Sequence, residues 1–307
     1  MRRPKSSPKS LLDMQTAVQT LILGTAIGGV YALMGVGLNL IFGVMRVANF
    51  AHGALYMIGG YAAYYLTLAT GAPMPVAVIG AMVVGGCVGY FVNAILLRPV
   101  YRSRLERPSE FTLIVTFALS LMATSAAAVF LTPNYRKFEG MWPDTITLFG
   151  FVSMSGDRAV AFVTALILLC ALLWLVHFTD LGRGWRALTQ NRMGADIVGV
   201  DVFRLANLAF ATSGALAAAA GAVLVPLYLA YPTMGESVIV KSFVIVVLGG
   251  LGSIAGSLVG GFLLGWAEAL GSVYIGSGYT DIYGLVIMLV VLLFLPRGLF
   301  GISEREV

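Results

Sequence analysis

At 307 residues, with 59% hydrophobic and 11% charged residues, this chain stands apart from soluble domains, which average roughly 45–50% apolar and about 25% charged. A mean hydropathy of +0.92 makes the bilayer its solvent and excludes an ordinary soluble domain. The net charge of +5 is not a nucleic-acid footprint, because Lys and Arg gather in short loops between apolar segments, and that is a topology signal.

The chain opens with MRRPKSSPKS, a basic stretch ahead of an apolar run, in the manner of a secretory signal. The run from Ala17 to Val44 is too long for that, has no clear small-residue cleavage site, and precedes further membrane segments, so it reads as part of the membrane domain. Apolar segments follow at 17–37, 38–44, 49–69, 75–97, 111–131, 159–179, 205–225, 239–248, 254–271 and 282–295. Stretches of about 20 residues suit bilayer-crossing helices, whereas barrel strands would alternate in polarity, so an all-α polytopic membrane protein is predicted. Segments 38–44 and 239–248 are too short to cross at a rise of 1.5 Å per residue, and each continues through a break into a longer helix.

Basic loops orient the segments. Arg2, Arg3, Lys5 and Lys9 precede the first; Arg98, Arg102, Arg104 and Arg107 follow the fourth; Arg183, Arg186, Arg192 and Arg204 lie after Thr179; Arg297 and Arg305 close the chain. All four groups fall on the cytoplasmic side if Leu38 to Leu66 enters from outside, turns near Met45 to Asn49 and returns, with Ile239 to Ala269 doing the same. Fourteen of the 19 Lys and Arg are then cytoplasmic, as are both termini, while Gly71 and Ser277 lie outside.

This arrangement gives a cytoplasmic basic N-terminus at 1–16 and one transmembrane domain at 17–307. The domain divides into a first repeat (17–97), a central helical hairpin (111–179), a loop (180–204) and a second repeat (205–295). Parallel repeats with re-entrant or broken helices are the architecture of transporters, whose path runs beside the breaks.

Non-helical backbone at membrane depth survives only where protein buries it or water reaches it. The first break carries Arg46, Asn49 and His52, and the second spans Gly249 to Gly261, where Ser253 and Ser257 offer hydroxyls to free amides. Glu268 is a carboxylate inside an apolar segment, which directs it to the bundle interior or a cavity, and Arg46 is its candidate counter-charge. Asn49, His52 and Glu268 are therefore the candidate path or gate residues. The pairs Gly24 and Gly28, Gly85 and Gly89, and Gly256 and Gly260 are read as helix-packing positions alone.

Catalytic and metal patterns are missing from the sequence. Ser253 and Ser257 have no neighbouring histidine, and His52 and His177 fall on different segments. Cys87 and Cys170 have no CxxC spacing and read as small buried hydrophobes. With no G-x-x-x-x-G-K-[ST] loop, ATP, if used, is bound by another subunit, and no cofactor is expected on this chain.

The polar loop DLGRGWRALTQNRMGADIVGVDVFR has an apolar face at Ala187, Leu188, Ala195, Ile197 and Val198 and reads as a docking element or a membrane-surface helix. Together with NFAHGALYMIGGY, VLGGLGSIAGSLVGG and LPRGLFG it resembles the branched-chain amino-acid ABC permeases over nearly the whole chain. The resemblance implies a non-enzymatic permease subunit of an ABC importer in a bacterial or archaeal cytoplasmic membrane. It also implies a second related permease, two cytoplasmic ATP-binding subunits and an extracytoplasmic substrate-binding protein. It matches Arg186, Asn191, Arg192, Ala195, Asp196 and Gly199 to the coupling loop that meets the ATPase. Two positions depart from the pattern: Met193 or Gly194, where many relatives carry an acid, and Ala54, where many carry Glu. Branched-chain or other hydrophobic amino acids are the implied cargo, with urea, short amides or small carboxylates, a stand-alone channel or a secondary transporter as alternatives.

Overall fold

The computed structural model describes residues 8–99, 107–131, 133–136, 142, 144–148 and 152–301, with side chains from residue 14 onward. Eleven α-helices are assigned here: α1 Pro8–Met45, α2 His52–Thr70, α3 Met74–Phe91, α4 Pro108–Phe130, α5 Gly156–Phe178, α6 Asp180–Gln190, α7 Arg192–Ile197, α8 Val202–Leu224, α9 Met234–Gly249, α10 Ile254–Tyr274 and α11 Thr280–Phe294. A π-turn, Val92–Leu97, extends α3, and a short antiparallel hairpin pairs β1 (Thr145–Leu148) with β2 (Val152–Ser155). Among the described residues, seven helical stretches are long and apolar enough to cross a membrane. The polytopic all-α expectation therefore holds.

Local signals explain where the helices start and stop. Gly71 ends α2 in the left-handed region, φ 64°, with its N–H on the Thr67 carbonyl, a conformation open to glycine at little cost. Asn191, Asp201 and Ser253 begin α7, α8 and α10 by accepting the N–H of Gly194, Arg204 and Gly256 respectively. Each cap satisfies an amide that a helix start leaves orphaned.

Glycine lets the inner helices touch backbone to backbone. Antiparallel α1 and α10 meet at Gly24 with Gly265 and Gly28 with Gly261, and Gly43 of α1 faces Gly252 just before α10. The equally antiparallel α3 and α8 meet at Gly85 with Gly214 and at Gly89 with Phe210. Gly256 packs on Gly249 and Gly260 on the Ile245 carbonyl, so all three sequence-spaced glycine pairs are packing sites. Helices α1 and α8 are mostly buried, whereas α4 and α11 present nearly their whole surface outward. In a bilayer that surface meets acyl chains, as apolar as Leu itself.

Three expectations are corrected. Segment 38–44 is not a separate re-entrant limb, because α1 runs unbroken to Met45. Gly35 and Gly37 do not interrupt the helix and instead admit the Ile245 and His52 side chains against it. The central segments do not form a hairpin: α4 packs against α2, while α5 packs against α1 and α8. Cys87 and Cys170 are not buried but exposed on the outward faces of α3 and α5.

The unbroken α1 also changes the topology. Its C-terminal end, at Gly43, faces Thr189 of α6 and Gly252, and the chain end joins it there, with Leu299 and Phe300 donating to the Leu248 and Gly249 carbonyls. We call this the loop end. The start of α1 lies at the opposite, far end, where Thr20 shares a cavity with Arg158, Ser272 and Asp281. The described chain thus begins and finishes at opposite ends of the bundle. Arg2, Arg3, Lys5, Arg102, Arg104 and Arg305 lie outside the described residues, and Lys9 is described by its backbone alone.

Candidate substrate cavity and loop-end surface

Two hairpins reach into the bundle from the far end. In the first, Arg46 turns the chain with φ 54°, a left-handed conformation rare outside glycine, and residues 46–51 run non-helically back to the start of α2. His52 then lies beside the middle of α1, its Nε2 3.1 Å from the Met34 carbonyl oxygen and its Nδ1 3.3 Å from Ser213 Oγ. In the second, α9 and α10 are joined at Gly250–Ser253. Asn39 of α1 holds that turn. Its two amide hydrogens are shared among the carbonyls of Gly250 and Ser253 and the Ser257 hydroxyl at 3.1, 2.7 and 2.7 Å, and its oxygen accepts the Gly252 N–H at 2.7 Å. Irregular backbone is thereby paired by protein, as hydrocarbon requires.

A cavity of about 800 Å³ lies between these hairpins on the far-end side, within the range of small-molecule sites. Leu23, Ile27, Met34, Leu224 and Val238 supply aliphatic wall, and Tyr31, Tyr56, Tyr228 and Tyr231 supply hydroxyls. In the connection before α9, outside the spanning helices, burial and then the neighbouring Tyr135 raise the Tyr231 phenol above its ordinary value, so it stays a neutral hydroxyl.

Charge enters this wall as a network. Lys241 Nζ lies 2.6 Å from Glu268 Oε1, 3.1 Å from Asp281 Oδ1 and 3.2 Å from the Tyr31 hydroxyl oxygen. Tyr31 in turn donates to Glu268 Oε2 at 2.7 Å. Glu268 is buried, and its counter-charge is Lys241 rather than Arg46, which is exposed at the loop end of α1, about 20 Å of helical rise from Tyr31. Sequence reasoning missed Lys241. A lone Lys in SVIVKSFVIVV, set against a lone Glu in the next apolar segment, was the available signal, since intramembrane charges pair with each other.

Of the three candidate path residues, only Glu268 lines the cavity. His52 and Asn49 are fully buried beyond its deepest wall, His52 touching the carbonyl of the cavity residue Met34. Asn49 accepts the Ala51 N–H at 3.0 Å, while its buried Nδ2 has no hydrogen-bond partner. The three residues are thus divided between the cavity and the turn behind it.

At the loop end, Trp185 is buried and its indole N–H donates to the Leu205 carbonyl at 2.9 Å, and Arg186 donates to the Val176 carbonyl, fixing α6 against α8 and α5. Asn191 caps α7, Ala195 is its buried contact, and Gly199 closes the turn with φ 87°. Met193, Ile197 and Val198 stand at 73, 79 and 78% exposure. Arg192 and Asp196 share this small helix.

Long apolar helices, backbone breaks held inside the bundle and a polar-lined cavity beside them define a polytopic membrane transport protein. Residues 20–296 match the family model described as branched-chain amino acid transport system / permease component. The chain is 31% identical over 304 residues to LivH, the high-affinity branched-chain amino acid transport system permease protein of Escherichia coli K12, covering 94% of this chain and 97% of that one. BraD of Pseudomonas aeruginosa, named for the same system, is 30% identical with the same coverage. LivM of Escherichia coli K12 is 24% identical over 90% of this chain and 69% of its own length. The chain belongs to the branched-chain amino acid transport permease family and is a membrane permease subunit of an ABC importer.

Proposed function

We propose that this subunit lines one half of a translocation path for branched-chain or other hydrophobic amino acids, beside a second, LivM-like permease. The observation that carries the cargo reading is the cavity, in which an aliphatic wall faces a Lys–Glu pair; an aliphatic amino acid presents the complementary surfaces. Urea and short amides offer neither the apolar bulk nor the paired charges. The names of LivH and BraD support the same cargo.

Orientation follows from charge. Among the described residues, Arg46, Arg98, Arg107, Arg183, Arg186, Arg192, Arg204 and Arg297 belong to segments at the loop end, against Lys9, Arg136 and Arg158 at the far end, so the loop end faces the cytoplasm. There the exposed Met193, Ile197 and Val198 form the surface onto which an ATP-binding subunit docks, and a substrate-binding protein delivers cargo at the far end. ATP is hydrolysed by the partner subunits, and this chain carries no cofactor. Asn49 and His52, behind the cavity, act as gate residues when the α1–α2 turn moves.

Uptake into vesicles containing the whole complex tests this reading. Labelled L-leucine should accumulate with ATP and labelled urea should not, and His52→Ala should lower leucine uptake while the complex still co-purifies. Urea uptake without leucine uptake would overturn the cargo reading.

A further inference from the structure

Lys241 and Glu268 form an ion pair inside the bundle, and a buried pair contributes little to stability compared with apolar residues of the same size. Intramembrane charges persist chiefly where they serve a cavity or path, and these two line one. Their hydrogen bonds are unequal. Glu268 uses one acceptor site on each oxygen, for Lys241 and for Tyr31, and a carboxylate offers about four. Lys241 donates to Glu268 and Tyr31 and pairs with Asp281 by charge. Asp281 is the loosely held member, with its side chain 75% exposed at the start of α11, against 7% for Glu268.

We propose that this network reads the two charges of a zwitterionic α-amino acid, with the Asp281 carboxylate marking the seat of the ligand carboxylate on Lys241. On binding, the ligand carboxylate displaces Asp281 towards solvent, and its ammonium takes the free acceptor sites of Glu268. The aliphatic side chain lies on Ile27, Met34 and Val238. Lys241 and Glu268 keep each other as neighbours, and each ligand charge meets its opposite: the ligand carboxylate takes the place that Asp281 leaves on Lys241, and the ligand ammonium adds donors to Glu268. A ligand lacking either charge gains only part of this: an amine leaves Asp281 on Lys241, and an acid exchanges one carboxylate for another there without reaching Glu268, so each forms one set of charge-assisted hydrogen bonds where the zwitterion forms two. The inference rests on the amino-acid reading of the cavity and adds to it three recognition residues and a class of ligand: zwitterions, in preference to amines or acids of the same shape.

The test uses the complete permease pair in lipid nanodiscs, without the binding protein, and saturation-transfer NMR with millimolar L-leucine. Leucine methyl signals should appear in the wild type and fall about tenfold or more in Lys241→Met and Glu268→Gln, since each loses a charged hydrogen bond. Asp281→Asn, an exposed and conservative change, should raise the signal by removing the competing carboxylate. Neither 3-methylbutylamine nor 4-methylpentanoate should displace leucine. A drop in Asp281→Asn alongside the other two would mark the network as a structural latch and overturn the inference, as would undiminished signals in Lys241→Met and Glu268→Gln. Vesicles of the whole complex separate the two levels: leucine uptake with no saturation transfer to the wild type sinks this inference alone, whereas no leucine uptake sinks the cargo reading as well.

Discussion

Asn39 shows how much a single polar side chain can hold in this protein. It is fully buried and meets the whole α9–α10 turn with donor and acceptor at once. Interhelical hydrogen bonds in membranes average only about 0.6 kcal/mol each, but truncation here strands several turn groups together, and each unpaired buried group costs about 1–3 kcal/mol. Asn39→Ala should therefore destabilise by about 2–4 kcal/mol. The expected sign is a lower thermal transition for the detergent-purified protein, together with faster proteolysis at Gly250–Ser253; an unchanged transition would count against this role. The sequence displayed Ser253 and Ser257 but not their partner, because an Asn at position 39 is separated from them by more than 200 residues. Glu268 was legible for the opposite reason: a carboxylate in an apolar run signals itself without a partner.

At the scale of elements, helix spacing in the core is set by which glycines face a backbone. A Cβ on Gly85 would lie 2.5 Å from the Gly214 carbonyl oxygen, whereas one on Gly86 would meet the Ala211 oxygen at 3.4 Å and Ala215 at 3.6 Å. Gly85→Ala must push α3 from α8, at about 1–3 kcal/mol for overpacking, while Gly86→Ala gains helix propensity of up to about 1 kcal/mol. Thermal unfolding of the two variants should move in opposite directions, or at least separate clearly, and coincident curves would contradict the packing. The same logic connects the loop end to the hairpins. Thr189 of α6 lies by Gly43 of α1, and Gly43 by Gly252 of the α9–α10 turn, so α6 is joined to the second hairpin by contiguous contacts.

For the whole molecule, the decisive feature is the parity set by α1. In the proposed orientation, with the loop end cytoplasmic, α1 begins outside and the described chain finishes inside. In a background with Cys87 and Cys170 replaced by Ala, an impermeant maleimide added to intact spheroplasts should label Ser277→Cys, and should label Met193→Cys only after the membrane is opened. An epitope at the N-terminus should be cleaved by protease from outside; protection there would restore the shared-side arrangement. Four basic residues near the start, Arg2, Arg3, Lys5 and Lys9, argue for the cytoplasm by charge alone, but positive-inside bias is a sum over loops, and the proposed orientation gives the greater weight to the arginines of the loop end.

The amino-acid sequence by itself determined the solvent, the helical class, the site of the first backbone break, the glycine contacts and the presence of an interior carboxylate. Each of these rests on local chemistry: hydropathy over one helix length, small residues four apart, a charge among apolar neighbours. The second break, read as Gly249 to Gly261, is confined to Gly250–Ser253 because Ile254–Tyr274 is helical. Tertiary structure alone decided that segment 38–44 continues α1. A seven-residue apolar stretch has the same composition whether it turns back or runs on, and the choice depends on Ile245 and His52 packing against Gly35 and Gly37. It also decided that Lys241 rather than Arg46 neutralises Glu268, because pairing is fixed by depth in the bundle and angle around the helix, neither of which spacing along the chain reveals.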